Sequence, residues 1–466
     1  MNFDLIVLGS GPGGYVAAIR ASQLGMNVAV VEREHLGGIC LNWGCIPTKA
    51  LLKSAQVFNY IIHAEDYGIS VSKAKPDFNK MISRSRGVAD GMSKGVTFLM
   101  KKNKITVIEG DGKLVRGKKV VVTDKDGAKK EYEAKNIIIA TGARSRALPN
   151  IPIDGKKVIG YRKAMSLPKQ PKRMVVIGAG AIGVEFAYFY NSIGTEVTVV
   201  EYLENGLLPR EDKDVSKELN KIFKKSGIHI MGNTSVDEVD TSGKVISVKT
   251  KNRKTGKDEI ISCDVVLSAT GIMPNTEEIG LEILGIKKGK GGTIEVDEFC
   301  QTSVSGIYAI GDVLATPALA HVASAEGILC VEKIAGLKVH PINYGFIPSC
   351  TYCSPEVASV GMTEEQAKEA GHEIKVGKFP FSASGKASAS GAKEGFVKVL
   401  YDAKYGELLG AHMIGSNVTE MIAEIVAAMN LETTGHEIIK AIHPHPTMSE
   451  AVMEASAAAY GEVIHL

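Results

Sequence analysis

A glycine-rich turn set between an apolar strand and a helix occurs twice in this chain, and no other feature restricts the fold as strongly. Phe3 to Leu8 runs into Gly9-Ser-Gly11-Pro-Gly13-Gly14; Ala17, Ala18, Ala21 and Leu24 then mark a helix that Gly25 stops, and Val28 to Val31 forms a strand ending at Glu32. Met174 to Ile177 runs into Gly178-Ala-Gly180-Ala-Ile-Gly183, with a helix from Glu185 to Ile193 and a strand from Val197 to Val200 ending at Glu201. From Gly9 to Gly178 and from Glu32 to Glu201 the offset is the same 169 residues. Glycines at this spacing let the chain turn tightly and let a pyrophosphate approach a helix N-terminus, while the acid after the second strand meets a ribose hydroxyl. Two dinucleotide sites in one chain are therefore predicted. Glu201 would repel a 2′-phosphate, so the second site is expected to take NAD rather than NADP.

Each copy closes with a further strand and turn, Ile137 to Thr141-Gly142 in the first and Val265 to Thr270-Gly271 in the second. Here the offset falls to 129, so the first copy carries about 40 extra residues between Glu32 and Thr141. That insertion holds Cys40-Leu-Asn-Trp-Gly-Cys45-Ile-Pro-Thr-Lys49. Two cysteines this close can bridge, but spacing alone equally allows a metal half-site or two buried thiols. Cys45 is placed to open a helix, whose N-terminus lowers a thiol pKa, and Lys49 falls one turn further along the same face.

Bulk properties exclude several functions. A chain of 466 residues predicts two to four domains. With 44% hydrophobic and 23% charged residues it reads as an ordinary globular protein without a membrane span. The net charge of +3 and the short, scattered basic runs argue against a nucleic-acid surface. Seven cysteines are too few, and odd in number, for a secreted disulfide framework, and Met1 leads straight into a buried strand. A cytoplasmic location is expected.

Elsewhere the motifs are weaker. Arg146 to Gly155 is punctuated by Pro149 and Pro152 and reads as a domain connector. Gly306 to Asp312 is a strand entering a turn whose acid either meets a ribose or is a plain turn residue. From about Tyr344 the texture changes to alternating strands at Val357–Val360, Ile374–Phe379, Phe396–Leu400 and Leu408–Ile414, with helices at Met421–Met429 and Met448–Ala459. Such a segment suits assembly or substrate binding. Pro446 at a helix start would leave His445 just outside the first turn and Glu450 on it, a base with its orienting carboxylate or simply capped surface groups. Cys350 and Cys353 lack a second half-site and read as ordinary buried cysteines, so no metal is expected; His321, His412 and His436 default to structural or exposed positions. Domain boundaries are expected at 1–148, 149–271, 272–343 and 344–466.

Taken together these residues resemble the flavin-dependent disulfide oxidoreductases across essentially the whole chain. The match runs through Gly9, Gly11, Gly14 and Glu32, the Cys40 to Lys49 segment, both Ala-Thr-Gly turns, Gly178, Gly180, Gly183 and Glu201, Ile310-Gly-Asp312, Pro355 to Gly361, and His445-Pro-Thr with Glu450. The resemblance implies an α/β fold of two Rossmann-like dinucleotide-binding domains followed by a C-terminal α+β dimerisation domain. FAD would lie in the first domain, with Thr141, Gly142 and Asp312 completing its site, and NAD in the second, near Gly271. It implies a homodimer in which a Cys40–Cys45 disulfide takes electrons from dihydrolipoamide carried on lipoyl domains of 2-oxo-acid dehydrogenase or glycine-cleavage assemblies. His445, from the partner subunit, would be the base, oriented by Glu450, and Glu185 would pair with Lys49 near the flavin. Trp43 stands where the family commonly carries other side chains. A glutathione-type reductase shares the disulfide and the His-Pro-Thr segment, and Glu201 speaks against it.

Overall fold

The computed structural model describes residues 2–466, which gather into two compact units. One contains residues up to Leu51, Phe78–Arg146 and Gly271–Ile342; the other contains Leu52–Asp77, Ala147–Thr270 and Asn343–Leu466.

The first unit is built on a seven-stranded sheet. Asn2–Leu8 lies at its centre, parallel to Val28–Glu32 on one side and to the second half of Lys129–Ile139 on the other. Thr106–Glu109 extends the parallel part beyond Val28–Glu32, and Ile307–Ala309 pairs in parallel with Lys129–Ile139. The first half of Lys129–Ile139 instead joins an antiparallel ribbon with Lys119–Thr123 and Asp111–Val115. Leu5 to Leu8 of this strand read as one apolar run because both faces are covered there, as parallel strands require. Leu5 and Val7 pack with Ala17, Ala18 and Ala21 of the Pro12–Gln23 helix, whereas Ile6 and Leu8 pack with Leu114, Val120 and Val122.

The second unit holds a five-stranded, all-parallel sheet in the order His229–Met231, Glu196–Val200, Arg173–Ile177, Val265–Ser268, Val158–Ile159. Three antiparallel strands (Thr234–Asp240, Ile246–Asn252, Asp258–Cys263) pack Ile246 and Val248 against Val175 and Ile177. A second five-stranded sheet is antiparallel, in the order Ser349–Thr351, Glu356–Gly361, Leu408–Gly415, Phe396–Asp402, Ile374–Pro380. Its apolar residues meet the Val418–Asn430 and Glu450–Tyr460 helices through Met421, Ile422, Ile425, Val452 and Ala455. The α/β class with a mixed C-terminal layer is thus the one the sequence predicts.

Several helix starts differ: the Val418–Asn430 helix begins before Met421 and the Ala181–Ser192 helix before Glu185. The last helix begins at Glu450 rather than Met448, and Pro446 lies ahead of it in a cis peptide bond with His445. The Glu450 carboxylate accepts the Thr447 N–H at 2.8 Å, which satisfies that amide without a further helical turn. Among the described residues no helix is long and apolar enough to cross a membrane.

Candidate active site

In the first unit the glycine turn is shaped by backbone crowding. Gly9 has φ +98°, and a Cβ there would stand 2.3 Å from Ala140 O; one on Gly14 would stand 2.0 Å from Gly9 O. Only glycine tolerates these approaches. At Gly11 the position of a Cβ is open among the described residues, so the ligand side of the turn is clear. The turn opens the Pro12–Gln23 helix, with Gly11 as N-cap and proline in its first turn. Glu32 Oε2 accepts from Ser10 N–H (3.0 Å) and Ser10 Oγ (2.6 Å), and its Oε1 from Glu34 N–H (2.9 Å). The acid at the strand end therefore stands against the turn.

Asp312 lies in the short Gly311–Val313 turn just past Ile307–Ala309, and a Cβ on Gly13 would stand 3.1 Å from the neighbouring Ile310 Cδ1. Burial pushes the Asp312 carboxyl above its usual pKa. Nearby in sequence, Thr316 Oγ1 is buried with no hydrogen-bond partner among the described residues. The Ala320–Ile334 helix packs on the Pro12–Gln23 helix so tightly that a Cβ on Gly327 would stand 2.8 Å from Gly13 O. Thr141 Oγ1 donates to Asn275 O (2.7 Å) and Asn275 N–H to Gly142 O (2.8 Å), while Arg146 N–H donates to Gly271 O (3.0 Å). The Thr141-Gly142 and Gly271 turns thus lie side by side, joined by the antiparallel pair Ala143–Ser145 and Ile272–Pro274. An open glycine turn, a half-buried acid and an orphaned buried hydroxyl fit a dinucleotide with a pyrophosphate and ribitol or ribose hydroxyls.

The two cysteines sit on different helices. Cys40 is in Gly38–Trp43, and Cys45 opens Cys45–Ile62, with Lys49 one turn further along. Gly44 makes the break between them. Its φ and ψ of −139° and −114° end the first helix, and a Cβ there would stand 3.1 Å from Ile39 O and 3.3 Å from Cys40 Cα. The Cys40 thiol is hydrogen-bonded to Cys45, and this bond together with burial raises its pKa strongly, whereas the Lys49 ammonium acts the other way. The Trp43 indole N–H donates to Glu34 Oε1 (3.2 Å), and the Arg86 guanidinium stacks 4.1 Å from the Trp43 ring centre while donating to Asn42 O. Sequence reading did not single out Arg86 or Thr316, because nothing in the local pattern of either marks a partner brought from a distant segment.

In the second unit the turn repeats almost atom for atom. Gly178 has φ +97°, with a Cβ 2.5 Å from Ala269 O; a Cβ on Gly183 would stand 2.0 Å from Gly178 O; the position at Gly180 is open among the described residues. Glu201 is buried, and its Oε2 accepts the Ala179 N–H at 2.7 Å. Glu185 is buried on the following helix, Ala181–Ser192, and its Oε1 accepts the Tyr352 N–H at 3.0 Å.

His445 and Glu450 form a pair, with Nδ1 of His445 2.8 Å from Glu450 Oε1 and the imidazole well exposed at 77%. Burial opposes ionisation of Glu450, but the Thr447 N–H and His445 outweigh it, and the carboxyl lies below its usual 4.5. A carboxylate fixed on Nδ1 leaves Nε2 outward as the nitrogen free to take a proton. The neighbouring His443 is largely buried and bonds Glu424 Oε1 at 2.7 Å, so the two histidines of this segment are differently placed. Among the described residues no three His, Cys, Asp or Glu side chains are grouped to hold a metal ion.

Two nucleotide turns, a cysteine pair between them in sequence and an oriented histidine define a flavin- and pyridine-nucleotide-dependent thiol chemistry, and the chain belongs to the pyridine nucleotide-disulphide oxidoreductase family. That family's model matches residues 3–327, and its dimerisation domain matches residues 347–456. The chain is 49% identical to the dihydrolipoyl dehydrogenase of Rhizobium etli, covering 100% of this chain and 99% of the relative. It is 50% identical to that of Zymomonas mobilis, covering 100% and 99%. Among solved structures it is similar to LpdA from Mycobacterium tuberculosis, with a TM-score of 0.90, 27% identity and 97% and 98% of the two chains covered. It also resembles the HOCl-induced flavoprotein disulfide reductase RclA from Escherichia coli, with a TM-score of 0.88, 26% identity and 98% and 99% covered.

Proposed function

We propose that this protein oxidises dihydrolipoamide to lipoamide with NAD as acceptor, in a homodimer that carries FAD. The reading rests on one observation above the others: the thiol pair at Cys40 and Cys45 lies in the same compact unit as the first glycine turn, and the second turn carries an acid at Glu201. Full-length similarity to dihydrolipoyl dehydrogenases supports the substrate. FAD would be held by Gly9, Gly11, Gly14, Glu32, Thr141, Gly142, Asp312 and Thr316, and NAD by Gly178, Gly180, Gly183 and Glu201 with Gly271 nearby. When bound, FAD supplies the two-electron relay between dithiol and NAD.

The remaining chemistry belongs to side chains. Only a thiolate attacks a disulfide, so a base must take the first substrate proton. We assign that role to His445 of the partner subunit, its tautomer set by Glu450. The substrate thiolate attacks Cys40 of the oxidised pair and Cys45 leaves as thiolate at the N-terminus of its helix, where the positive end of the dipole and Lys49 favour the charge. The second substrate thiol then displaces Cys40, and lipoamide departs.

We assign residues 1–148 to FAD binding, 149–271 to NAD binding, 272–343 to completing the FAD site and 344–466 to the dimer interface, the last supported by the matched dimerisation domain. Lipoyl domains of a 2-oxo-acid dehydrogenase or glycine-cleavage assembly are the proposed partners. Bacterial relatives and the odd cysteine count favour a reducing cytoplasm. Assay of the purified protein with dihydrolipoamide plus NAD, beside oxidised glutathione plus NADPH, tests the reading. Fast turnover in the first and almost none in the second is expected; the reverse pattern would assign a glutathione-type reductase.

A further inference from the structure

A charged cluster lies deep in the second unit. Its centre is Lys398 on the Phe396–Asp402 strand, every residue of which is buried. Val397, Val399 and Tyr401 face the helices of the C-terminal core, so the strand's period of two turns Lys398 to the opposite face. There its Nζ lies 3.0 Å from both Asp212 Oδ1 and Oδ2, 3.2 Å from Asp214 Oδ2 and 2.7 Å from Glu364 Oε2. Lys398 and Asp212 are almost wholly inaccessible, with side chains 3% and 1% exposed. A buried ammonium held by three carboxylates from two other segments fixes those segments in one arrangement, because removing any member leaves an uncompensated charge.

Asp212 is the N-cap of the Lys213–Lys225 helix, its side chain accepting the Asp214 N–H. That helix begins where the loop after Glu201 ends, and the loop returns to the glycine turn. Ser216 Oγ donates to Leu208 O (2.7 Å), and Leu208 N–H donates to Ala179 O (2.8 Å). Leu208 has φ +46°, a left-handed backbone that a leucine adopts only when its surroundings impose it. Ala179 is therefore held on both sides, its N–H by Glu201 and its carbonyl by Leu208. An unbroken run of polar contacts leads from Lys398 to the peptide between Gly178 and Gly180.

From this geometry we infer that Lys398 is a positioning residue for NAD: its ion-pair cluster anchors the Lys213–Lys225 helix, and through Leu208 it sets the turn that receives the pyrophosphate. The inference rests on NAD occupying the second turn. The C-terminal layer then contributes to nucleotide affinity from a strand that never touches the nucleotide, while the dithiol chemistry does not depend on Lys398.

The test is Lys398→Met in the FAD-loaded dimer, with Glu364→Gln as a milder variant that removes one carboxylate's charge and keeps the lysine. Expected for Lys398→Met is a KM for NAD raised about 10-fold or more, as follows from stranding buried carboxylates next to the turn. The KM for dihydrolipoamide and the rate of flavin reduction by dihydrolipoamide without NAD should stay at wild-type values. Lys398→Arg should restore part of the NAD affinity. Should Lys398→Met fail to fold, Glu364→Gln decides, with a smaller rise confined to NAD. An unchanged KM for NAD would overturn the inference, as would a parallel loss of both half-reactions that tracks the melting temperature. Failure of the NAD reading itself would show in the wild-type protein, whose reduced flavin would not be reoxidised by NAD.

Discussion

The two glycine turns are near copies in backbone and differ in what surrounds them. Gly9 and Gly178 adopt the same left-handed φ, and Gly14 and Gly183 approach the preceding glycine carbonyl at the same 2.0 Å. The strands and acids that flank them match as well. In the first copy, however, Ser10 adds a hydroxyl bond to the half-buried Glu32, and the turn's helix is clasped by a second helix that follows Asp312 and Thr316. In the second, alanine replaces the serine, Glu201 is buried, and Leu208 braces the turn from a loop pinned by Lys398. One copy's helix is clasped by a second helix of its own unit, as suits a resident group; the other is stiffened from behind, as suits a nucleotide that comes and goes.

Substitutions can separate the copies. Cys45→Ser acts on the insertion carried only by the first, and dihydrolipoamide:NAD turnover should be abolished while the protein stays folded and yellow. Normal turnover in that variant would end the dithiol scheme. His445→Gln should slow flavin reduction by dihydrolipoamide about 10²–10⁴-fold, the usual worth of a positioned base. NADH oxidation by dyes, which needs NADH and the flavin but neither the dithiol nor its base, should largely survive; equal loss of both would make His445 structural.

The turns themselves can be compared through Gly14→Ala and Gly183→Ala. Each added methyl meets a backbone oxygen that cannot swing away, an overpacking of about 1–3 kcal/mol. The first should release flavin, read from its absorbance after gel filtration, and the second should weaken NAD binding about 10-fold or more with flavin retained. If both variants lost flavin equally, the two turns would not be separate sites.

The smallest effect concerns pH. The carboxyl of Glu450 is held below its ordinary 4.5 in the folded protein, so its pairing contributes stability that is complete above that value. The contribution is lost as pH falls through the lower folded value. The stability gap between wild type and Glu450→Gln, measured by denaturant titration, should therefore be widest near neutrality and close in acid.

Much of the site was legible because it depends on local geometry. A strand, a tight turn and a helix need glycines where only glycine fits, and Gly9, Gly14, Gly178 and Gly183 show this once the flanking strands and the acids Glu32 and Glu201 are read with them. Cys45 opening a helix and Lys49 following by one turn likewise need only helical spacing. Cys40 was harder, since the short helix that holds it and the Gly44 break leave little periodicity to read. The start of the last helix was misplaced because Glu450 caps Thr447 from within the helix, a contact that the proline pattern does not reveal.

The sequence by itself determined that this chain has two dinucleotide turns with an insertion bearing two cysteines, because turn and helix chemistry acts over a few residues. Tertiary structure decided which turn is clasped and which is braced. Thr316, Leu208 and Lys398 matter through partners far away in the chain, and burial of a charge or hydroxyl is a property of the packed fold rather than of its neighbours in sequence.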